Sequence, residues 1–161
     1  MAKYNSVFEF DPIKETGIDV PRVNREQALK DIAEFVRDSA LEMIADQRSP
    51  VTGRKFAKLS TEYRKFKSSQ GATPVPNLEF QGDLLAALEA KVSRGKIKYG
   101  VFDSSQSGKA EGNNEGTYGK NTGPARRFIP LKGEFFTDDI FRGIEEILIS
   151  YQDIEKTNGD N

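Results

Sequence analysis

The sequence predicts an α+β fold, in which a small antiparallel β-sheet is packed by a long N-terminal helix and a C-terminal helix. Near each end of the chain, apolar side chains recur with the spacing of an amphipathic helix. Between these stretches, two short runs alternate apolar and polar residues around a tight-turn sequence, which indicates a β-hairpin. The 161 residues suit one ordinary domain. We therefore expect a single domain over residues 1–161, with its ordered core at about 20–152.

The first long helix is predicted from about Arg25 to Arg48. Asn24 is a favourable N-cap, Gln27 completes a capping-box pattern, and Pro50 ends the helical stretch. The side chains expected on the buried face are Leu29, Ile32, Ala33, Val36, Ala40, Met43 and Ile44.

Two short helices are predicted next. Ser60 is expected to cap a helix over residues 61–69, and Gly82-Asp83 to open a second helix that runs to about Ala90. Residues 71–76, which contain two prolines and a glycine, form a spacer between them.

The β-hairpin is centred on a turn at Arg94-Gly95. Its inward side chains are expected to be Ala90, Val92, Ile97, Tyr99 and Val101. A further short apolar strand is predicted at residues 128–131.

Residues 104–123 contain five glycines and almost no apolar side chains. Such a segment buries too little surface to offset its ordering entropy by itself. We therefore expect a long mobile Gly-rich loop here.

The second long helix is predicted from a Thr137 cap to about Tyr151. Its apolar side is formed by Ile140, Phe141, Ile144, Ile147, Leu148 and Tyr151. Residues 153–161 are then expected to form a polar tail.

The composition excludes several kinds of catalytic site. The chain has no Cys and no His, which rules out disulfides, thiolate nucleophiles, Cys-ligated zinc and every Ser-His or Cys-His arrangement. Neither Gly-Lys pair in the loop completes a phosphate-binding P-loop. We expect no enzyme activity, no cofactor and no metal. Two enzyme alternatives stay open. One is a metal-dependent hydrolase built on Asp and Glu, such as Asp103 and Glu111 with Lys120. The other is a Ser–Lys nucleophile pair formed by Ser60, Ser68 or Ser69 with a nearby lysine, although no surrounding pattern distinguishes these residues.

Charge is unevenly distributed, although the whole chain has a net charge of only −1. Residues 53–67 carry six basic side chains and one acidic, whereas residues 134–161 carry two basic and eight acidic. The basic residues are Arg54, Lys55, Lys58, Arg64, Lys65 and Lys67. They are candidates to face DNA, with Phe56, Tyr63 and Phe66 among them. Alternatively, these aromatic rings belong to the core and the basic side chains extend over them into solvent.

Two motifs near the C-terminal helix resemble a known family. The first is Ala110-x-x-Asn113-Asn114-Glu115-Gly116, and the second is Pro124-Ala125-Arg126-Arg127-Phe128-Ile129. Together they resemble the end of the virion-morphogenesis and tail-completion proteins of tailed bacteriophages, the Mu-type neck proteins and related chains. In that family an Ala-x-x-His-x-x-Gly element precedes a Pro-Ala-Arg-Pro-Phe-Leu element. Asn113 therefore stands in place of His, and Arg127 in place of Pro.

The predicted elements also resemble the family in their order, over residues 25–150. The long helix is followed by a basic helix, then by Leu78 and Gly82-x-Leu84, which resemble the family's Leu…Thr-Gly-x-Leu with Gln81 in place of Thr. The hairpin, the two motifs and the terminal helix come after them.

The resemblance implies a structural virion protein of the phage neck or tail. Such a protein completes or terminates the tail and joins it to the head connector as a homo-oligomeric ring of six or twelve copies. Its partners would be head connector or adaptor proteins, the tail tube protein and double-stranded DNA, which passes through the lumen without sequence readout. The interface candidates are Asn113, Asn114, Glu115, Gly116, Pro124, Arg126 and Arg127.

The chain would be made in the host bacterial cytoplasm and located in the virion. No stretch approaches the roughly 18 apolar residues of a membrane span, so we expect no membrane contact. The alternative function is that of a small accessory protein that binds nucleic acid without specificity through residues 54–67.

Overall fold

The alternating segments in the middle of the chain form the antiparallel sheet on which the helices pack, as the sequence predicts. The fold is described from a computed structural model, which covers residues 6–71, 83–118, 121–122 and 124–159. In chain order the elements are β1 (Val7–Phe10), α1 (Pro12–Thr16), α2 (Arg22–Ala45), α3 (Thr61–Ser69), α4 (Asp83–Ala86), β2 (Leu88–Ser93), β3 (Lys96–Val101), α5 (Ser104–Glu115), β4 (Thr117–Tyr118), β5 (Asn121–Thr122) and α6 (Asp138–Gly159). The main sheet has the strand order β1-β3-β2, and β4 pairs with β5.

The predicted hairpin is confirmed by the pairing of β2 with β3. Its two turn residues, Arg94 and Gly95, both have positive φ angles, of 52° and 78°, as a two-residue turn of type I′ requires. One face of the sheet joins the core through Phe8, Phe10, Leu88, Ala90, Val92, Ile97, Tyr99 and Val101. The opposite face is polar, and on it Glu9 pairs with Lys96 and Lys98 at 3.5 and 3.8 Å.

Strand β1 was not predicted from the sequence. It lies at the edge of the sheet, antiparallel to β3, with Val7 opposite Gly100 and Phe10 opposite Ile97. The approach is closest at Gly100, where a Cβ atom would lie only 2.0 Å from the Ser6 carbonyl oxygen. A side chain at position 100 is therefore incompatible with the position of β1.

Aromatic side chains connect β1 to the start of α6. The ring of Phe10 contacts that of Phe135 edge to face at a centroid distance of 5.2 Å. The ring of Tyr99 meets that of Phe136 in the same way at 4.9 Å. Edge-to-face contacts stabilise beyond the area that they bury. The cluster consists of Phe8, Phe10, Tyr99, Phe135, Phe136 and Phe141.

Helix α2 buries nearly the face that its periodicity predicts, namely Ala28, Leu29, Ile32, Ala33, Val36, Ala40 and Ile44. Met43, also predicted there, is partly buried against the core. The predicted start was wrong, because the helix begins at Arg22 behind Pro21 and has no side-chain cap. Asn24, the expected cap, instead donates from Nδ2 to the carbonyl oxygen of Tyr151 in α6, at 3.0 Å.

Helix α6 begins where it was predicted, with the Thr137 hydroxyl accepting from the N–H of Ile140 at 3.4 Å. Its backbone is helical as far as Gly159, beyond the predicted end at Tyr151 and through most of the predicted tail. Helices α2 and α6 cross closely at Gly143, where an added Cβ would lie 2.1 Å from the ring of Phe35.

Three further predictions have different outcomes. The Ser60 cap of α3 is confirmed, since its hydroxyl accepts from the N–H of Tyr63 at 3.2 Å. The helix expected to reach Ala90 ends at Ala86, because Leu88 already pairs with Val101 in the sheet. The spacer 71–76 lies outside the described residues except for Gly71.

The expectation of a loop throughout 104–123 was wrong for its first part, which forms α5. Asp103 caps this helix by accepting from the N–H of Ser105 at 2.9 Å, and Gly116 ends it with a φ angle of 77°. Ala110 and Asn114 are fully buried, so contacts with the rest of the fold compensate for the poor helix propensity of two glycines. Residues 119, 120 and 123 lie outside the described part.

Candidate functional site

The side chain of Asn114 joins the last turn of α5 to the segment before α6. Its Oδ1 accepts from the N–H groups of Phe128 and Ile129 at 2.8 and 2.9 Å. Its Nδ2 donates to the carbonyl oxygen of Ile129 at 2.8 Å. The side chains of Asn114, Phe128 and Ile129 are fully buried. One amide therefore satisfies three backbone groups that burial would otherwise leave without water.

These contacts explain why residues 128–131 are not the strand that was predicted. Phe128 and Ile129 are fully buried, like the inward residues of a core strand, but they pair with no strand among the described residues. The amide of Asn114 supplies the acceptor and the donor that a neighbouring strand would have provided.

The two motifs of the sequence meet at this point, which we call the Asn114 junction. The N–H of Arg126 donates to the carbonyl oxygen of Asn113 at 2.7 Å. The guanidinium of Arg127 donates to the carbonyl oxygen of Asn114 at 2.9 Å and lies 3.5 Å from the carboxylate of Glu134. Two segments that are separate in the sequence are thus one hydrogen-bonded unit.

Two hydroxyl groups complete the junction, and sequence reasoning missed the role of both. Tyr99 donates to the carbonyl oxygen of Phe128 at 2.8 Å. Ser49 donates to the carbonyl oxygen of Arg127 and accepts from the N–H of Thr52 at 2.9 Å. For Ser49, the following Pro50 is a turn signal that could have suggested such a contact. For Tyr99, the predicted inward orientation left a buried hydroxyl that needs an acceptor.

Arg126 connects the junction to the segment that precedes α3. Its side chain is 9% exposed, and its Nε and Nη2 each lie 3.3 Å from the carbonyl oxygen of Ala57. Nη2 is also 3.5 Å from the carbonyl oxygen of Lys58. The guanidinium of Arg126, one of the interface candidates, is therefore used inside the chain.

The other interface candidates differ in exposure. Asn114 and Gly116 are buried, so the side chain of Asn114 is not available to a neighbouring molecule. Asn113, Glu115 and Arg127 are partly buried, and Pro124 is exposed. The motifs therefore organise the fold, and only their outer residues reach the surface.

The candidate DNA-facing residues are separated by the fold into two groups. Lys67 is only 2% exposed, which excludes it as a contact for a nucleic-acid backbone. The others are exposed, namely Arg54, Lys55, Lys58, Arg64 and Lys65. Of the aromatic residues, Phe56 belongs to the core, whereas Tyr63 and Phe66 are 42% and 49% exposed with ring centroids 6.1 Å apart.

Burial raises the pKa of Tyr99 far above its ordinary value. A tyrosine in the unfolded chain ionises at about pH 10, so the unfolded state releases a proton that the folded state retains, and stability falls as the pH rises above that value. The hydrogen bond to Asp31 also raises the pKa of Tyr151, to about 12.

We expect the melting temperature to fall more steeply above about pH 10 in the wild type than in Tyr99→Phe.

Calorimetry between neutral pH and pH 11 measures this difference. Tyr63→Phe, which removes the same hydroxyl group from an exposed tyrosine, is the matched control. Equal slopes for the wild type and Tyr99→Phe would contradict the buried, un-ionised state of Tyr99.

An open groove of about 720 Å³ lies between β1 and the turn at residues 130–135. Two of its carboxylates already have cationic partners, Glu9 with Lys96 and Lys98, and Glu134 with Arg127. Both of these carboxylates are therefore neutralised by cations of the same chain.

The described residues include no group of three or more Asp or Glu side chains placed to hold a metal ion. Asp103, a candidate for carboxylate chemistry, caps α5, and its hydrogen bonds from Ser105 hold the pKa of its carboxyl below the ordinary value.

Within the described chain, no helix combines the length and the apolar character needed to cross a membrane. Comparison with protein-family models, curated proteins and solved structures gave no match to this chain.

Proposed function

We propose that this protein is a structural component of a bacteriophage neck or tail. In this proposal, copies of the chain form a closed ring that completes the tail and joins it to the head connector. DNA passes through the lumen of the ring without sequence readout, and the protein catalyses no reaction.

The observation that carries the proposal is the Asn114 junction. The two motifs that resemble the tail-completion proteins are the segments that meet there, through the bond from Arg126 N–H to the Asn113 carbonyl and the bonds made by the Asn114 amide. Motif positions that fix a buried connection are expected to recur with the fold. Arg126 and Phe128 match the family's pattern, whereas Asn114 stands at a position that the pattern leaves open. The buried meeting of the two segments therefore supports a shared architecture more strongly than an exposed motif of the same length would.

The junction also has a consequence for the surface. Through Arg126 it fixes the backbone at Ala57 and Lys58, directly before the Ser60 cap of α3. The motif thereby holds an exposed, basic helix in a defined position, as a protein that acts by binding neighbours requires.

A second candidate function is non-specific nucleic-acid binding by α3. It is favoured by the exposed rings of Tyr63 and Phe66, which lie among exposed cations, since bases stack on aromatic side chains beside basic ones. Steep loss of DNA affinity with rising salt, measured on the isolated monomer, would favour this function.

Disruption of the gene in a phage that encodes this protein tests the first proposal. We expect electron micrographs of the lysate to contain filled heads and separate tails, and a plasmid copy of the gene to restore joined particles. Normal yields of joined, infectious particles without the protein would contradict the proposal.

A further inference from the structure

Two exposed surfaces of opposite charge lie on different parts of this chain, one on α3 and the segment before it and the other along α2. We define the basic arm as Arg54, Lys55, Lys58, Arg64 and Lys65, and the acidic ridge as Glu34, Asp38, Glu42 and Asp46. We propose that the basic arm of one copy docks on the acidic ridge of the next copy, head to tail. The inference rests on the proposed ring function and names the contact that would build the ring.

Helix α3, which carries two of the arm's cations, packs little of its surface against the described fold. Eight of its nine residues are exposed, and Lys67 is the buried exception. The exposed residues include the large rings of Tyr63 and Phe66. A short helix with so little burial is marginal alone, and an interface that covers its outer side would stabilise it.

The cations of the basic arm have no carboxylate partner within the described part of the chain. All five are exposed, and none of them belongs to an ion pair there. Their long side chains are thus available to an acidic surface on another molecule.

The acidic ridge concentrates negative charge along the solvent side of α2. Its residues are four apart, so Glu34, Asp38 and Glu42 lie above one another on one helix face and repel each other. The last turn of α2 contains no basic residue, although cations are the favoured residues there, beside the negative end of the helix dipole. Within the described chain, only Asp38 of this set has an ion pair, to Arg37 at 3.8 Å.

The acidic ridge is long enough to receive the whole of α3. At a rise of 1.5 Å per residue, Glu34 to Asp46 extend about 18 Å and the nine-residue α3 about 13 Å. Glu34, Asp38 and Glu42 lie away from the apolar face that α2 buries, and Asp46 follows the end of the helix. All four are exposed, so the ridge is open to a neighbouring molecule over its whole length.

A contact between two different surfaces predicts a cyclic arrangement of the copies. A contact between unlike surfaces repeats from copy to copy, and it closes into a ring when the rotation allows. The backbone of the arm is held in place, since Arg126 bonds to Ala57 and Lys58 and the N–H of Phe56 donates to the Gln47 carbonyl at 2.7 Å. The held segment therefore presents Arg54, Lys55 and Lys58 without a large ordering entropy on binding.

Disulfide trapping tests the contact, because the natural chain has no Cys. Lys65 points away from the buried side of α3 and Asp38 away from that of α2, so we would combine Lys65→Cys with Asp38→Cys in the full chain. Mild oxidation is expected to give a ladder of multimers on a non-reducing gel. Each single variant, and the pair Lys65→Cys with Lys14→Cys, is expected to give dimers at most.

The outcomes separate this inference from the proposed function. A ladder supports both. Rings of the wild type in electron micrographs together with no ladder would overturn the docking contact and leave the ring proposal intact. A cross-linked dimer with no higher species would overturn the head-to-tail arrangement. A wild type that stays monomeric, together with no ladder from the double-Cys variant, would overturn the docking contact and also contradict the ring.

Charge reversal gives an independent measurement. Arg64→Glu with Lys65→Glu is expected to abolish assembly, and added Asp38→Lys with Glu42→Lys to restore it. Lys14→Glu with Lys109→Glu changes the net charge equally at exposed sites outside the basic arm, and it is expected to assemble like the wild type. If the first variant assembles normally but loses affinity for DNA, α3 is a nucleic-acid surface and the docking proposal is wrong.

Discussion

Replacement of Asn114 by alanine is expected to lower the free energy of unfolding by roughly 3–5 kcal/mol, because buried polar groups left without partners cost about 1–3 kcal/mol each. The substitution removes the acceptor of the Phe128 and Ile129 N–H groups and the donor to the Ile129 carbonyl. Asn114→Asp should also destabilise, since its second oxygen would face that carbonyl. A loss of this size is a large fraction of the stability of an ordinary domain.

Urea unfolding followed by circular dichroism measures the effect. Asn113→Ala is the matched control. Among the described residues, the side chain of Asn113 donates only to the Lys109 carbonyl of its own helix, and its backbone bond to Arg126 is retained. We expect that control to change stability by less than about 1 kcal/mol. Equal effects of the two substitutions would contradict the central place of Asn114 in the fold.

Gly100→Ala is the second substitution with a large expected effect, a loss of about 3 kcal/mol or more. The new Cβ would lie 2.0 Å from the Ser6 carbonyl oxygen and 2.7 Å from the Val7 Cα. Since these are backbone atoms, β1 has to leave its position beside β3. Its departure would separate Phe8 and Phe10 from the rings of Phe135 and Phe136.

Hydrogen exchange distinguishes local release of β1 from general destabilisation. The amides of Phe8 and Phe10 face β3, since the N–H of Val101 donates to the Ser6 carbonyl and alternate residues repeat that pattern. We expect both amides to lose protection in Gly100→Ala before those of α2. Gly133→Ala is the control, because Gly133 has a φ angle of 88° and no atom lies within 4 Å of the added Cβ. It should lower the stability only by the backbone strain of an alanine at positive φ, about 1–2 kcal/mol. Retained protection in Gly100→Ala would contradict the close approach.

The parts of the fold that the sequence predicted are those determined by local pattern. The buried face of α2 follows from its apolar spacing, and the hairpin from the alternation around Arg94-Gly95. The Ser60 cap is likewise a property of a few adjacent residues.

The parts that were not predicted depend on contacts between distant residues. Helix α5 contains glycines and few apolar residues, and its C-terminal end is held by the bonds of Asn114 to a segment that follows 14 or more residues later. Strand β1 is only four residues long and is specified by Gly100, far along the chain. The structure brings the motif residues together in one hydrogen-bonded junction. Their burial, however, could not be read from residue type, because Asn and Arg are usually exposed.

The central claim is that copies of this chain form a ring, and the mass of the purified protein in solution tests it most directly. Light scattering, with negative-stain images of the same fractions, is expected to give closed rings of about 108 or 216 kDa, six or twelve times the 18.0 kDa chain. A single species of 18.0 kDa at every concentration, both alone and with tail tube protein added, would contradict the claim.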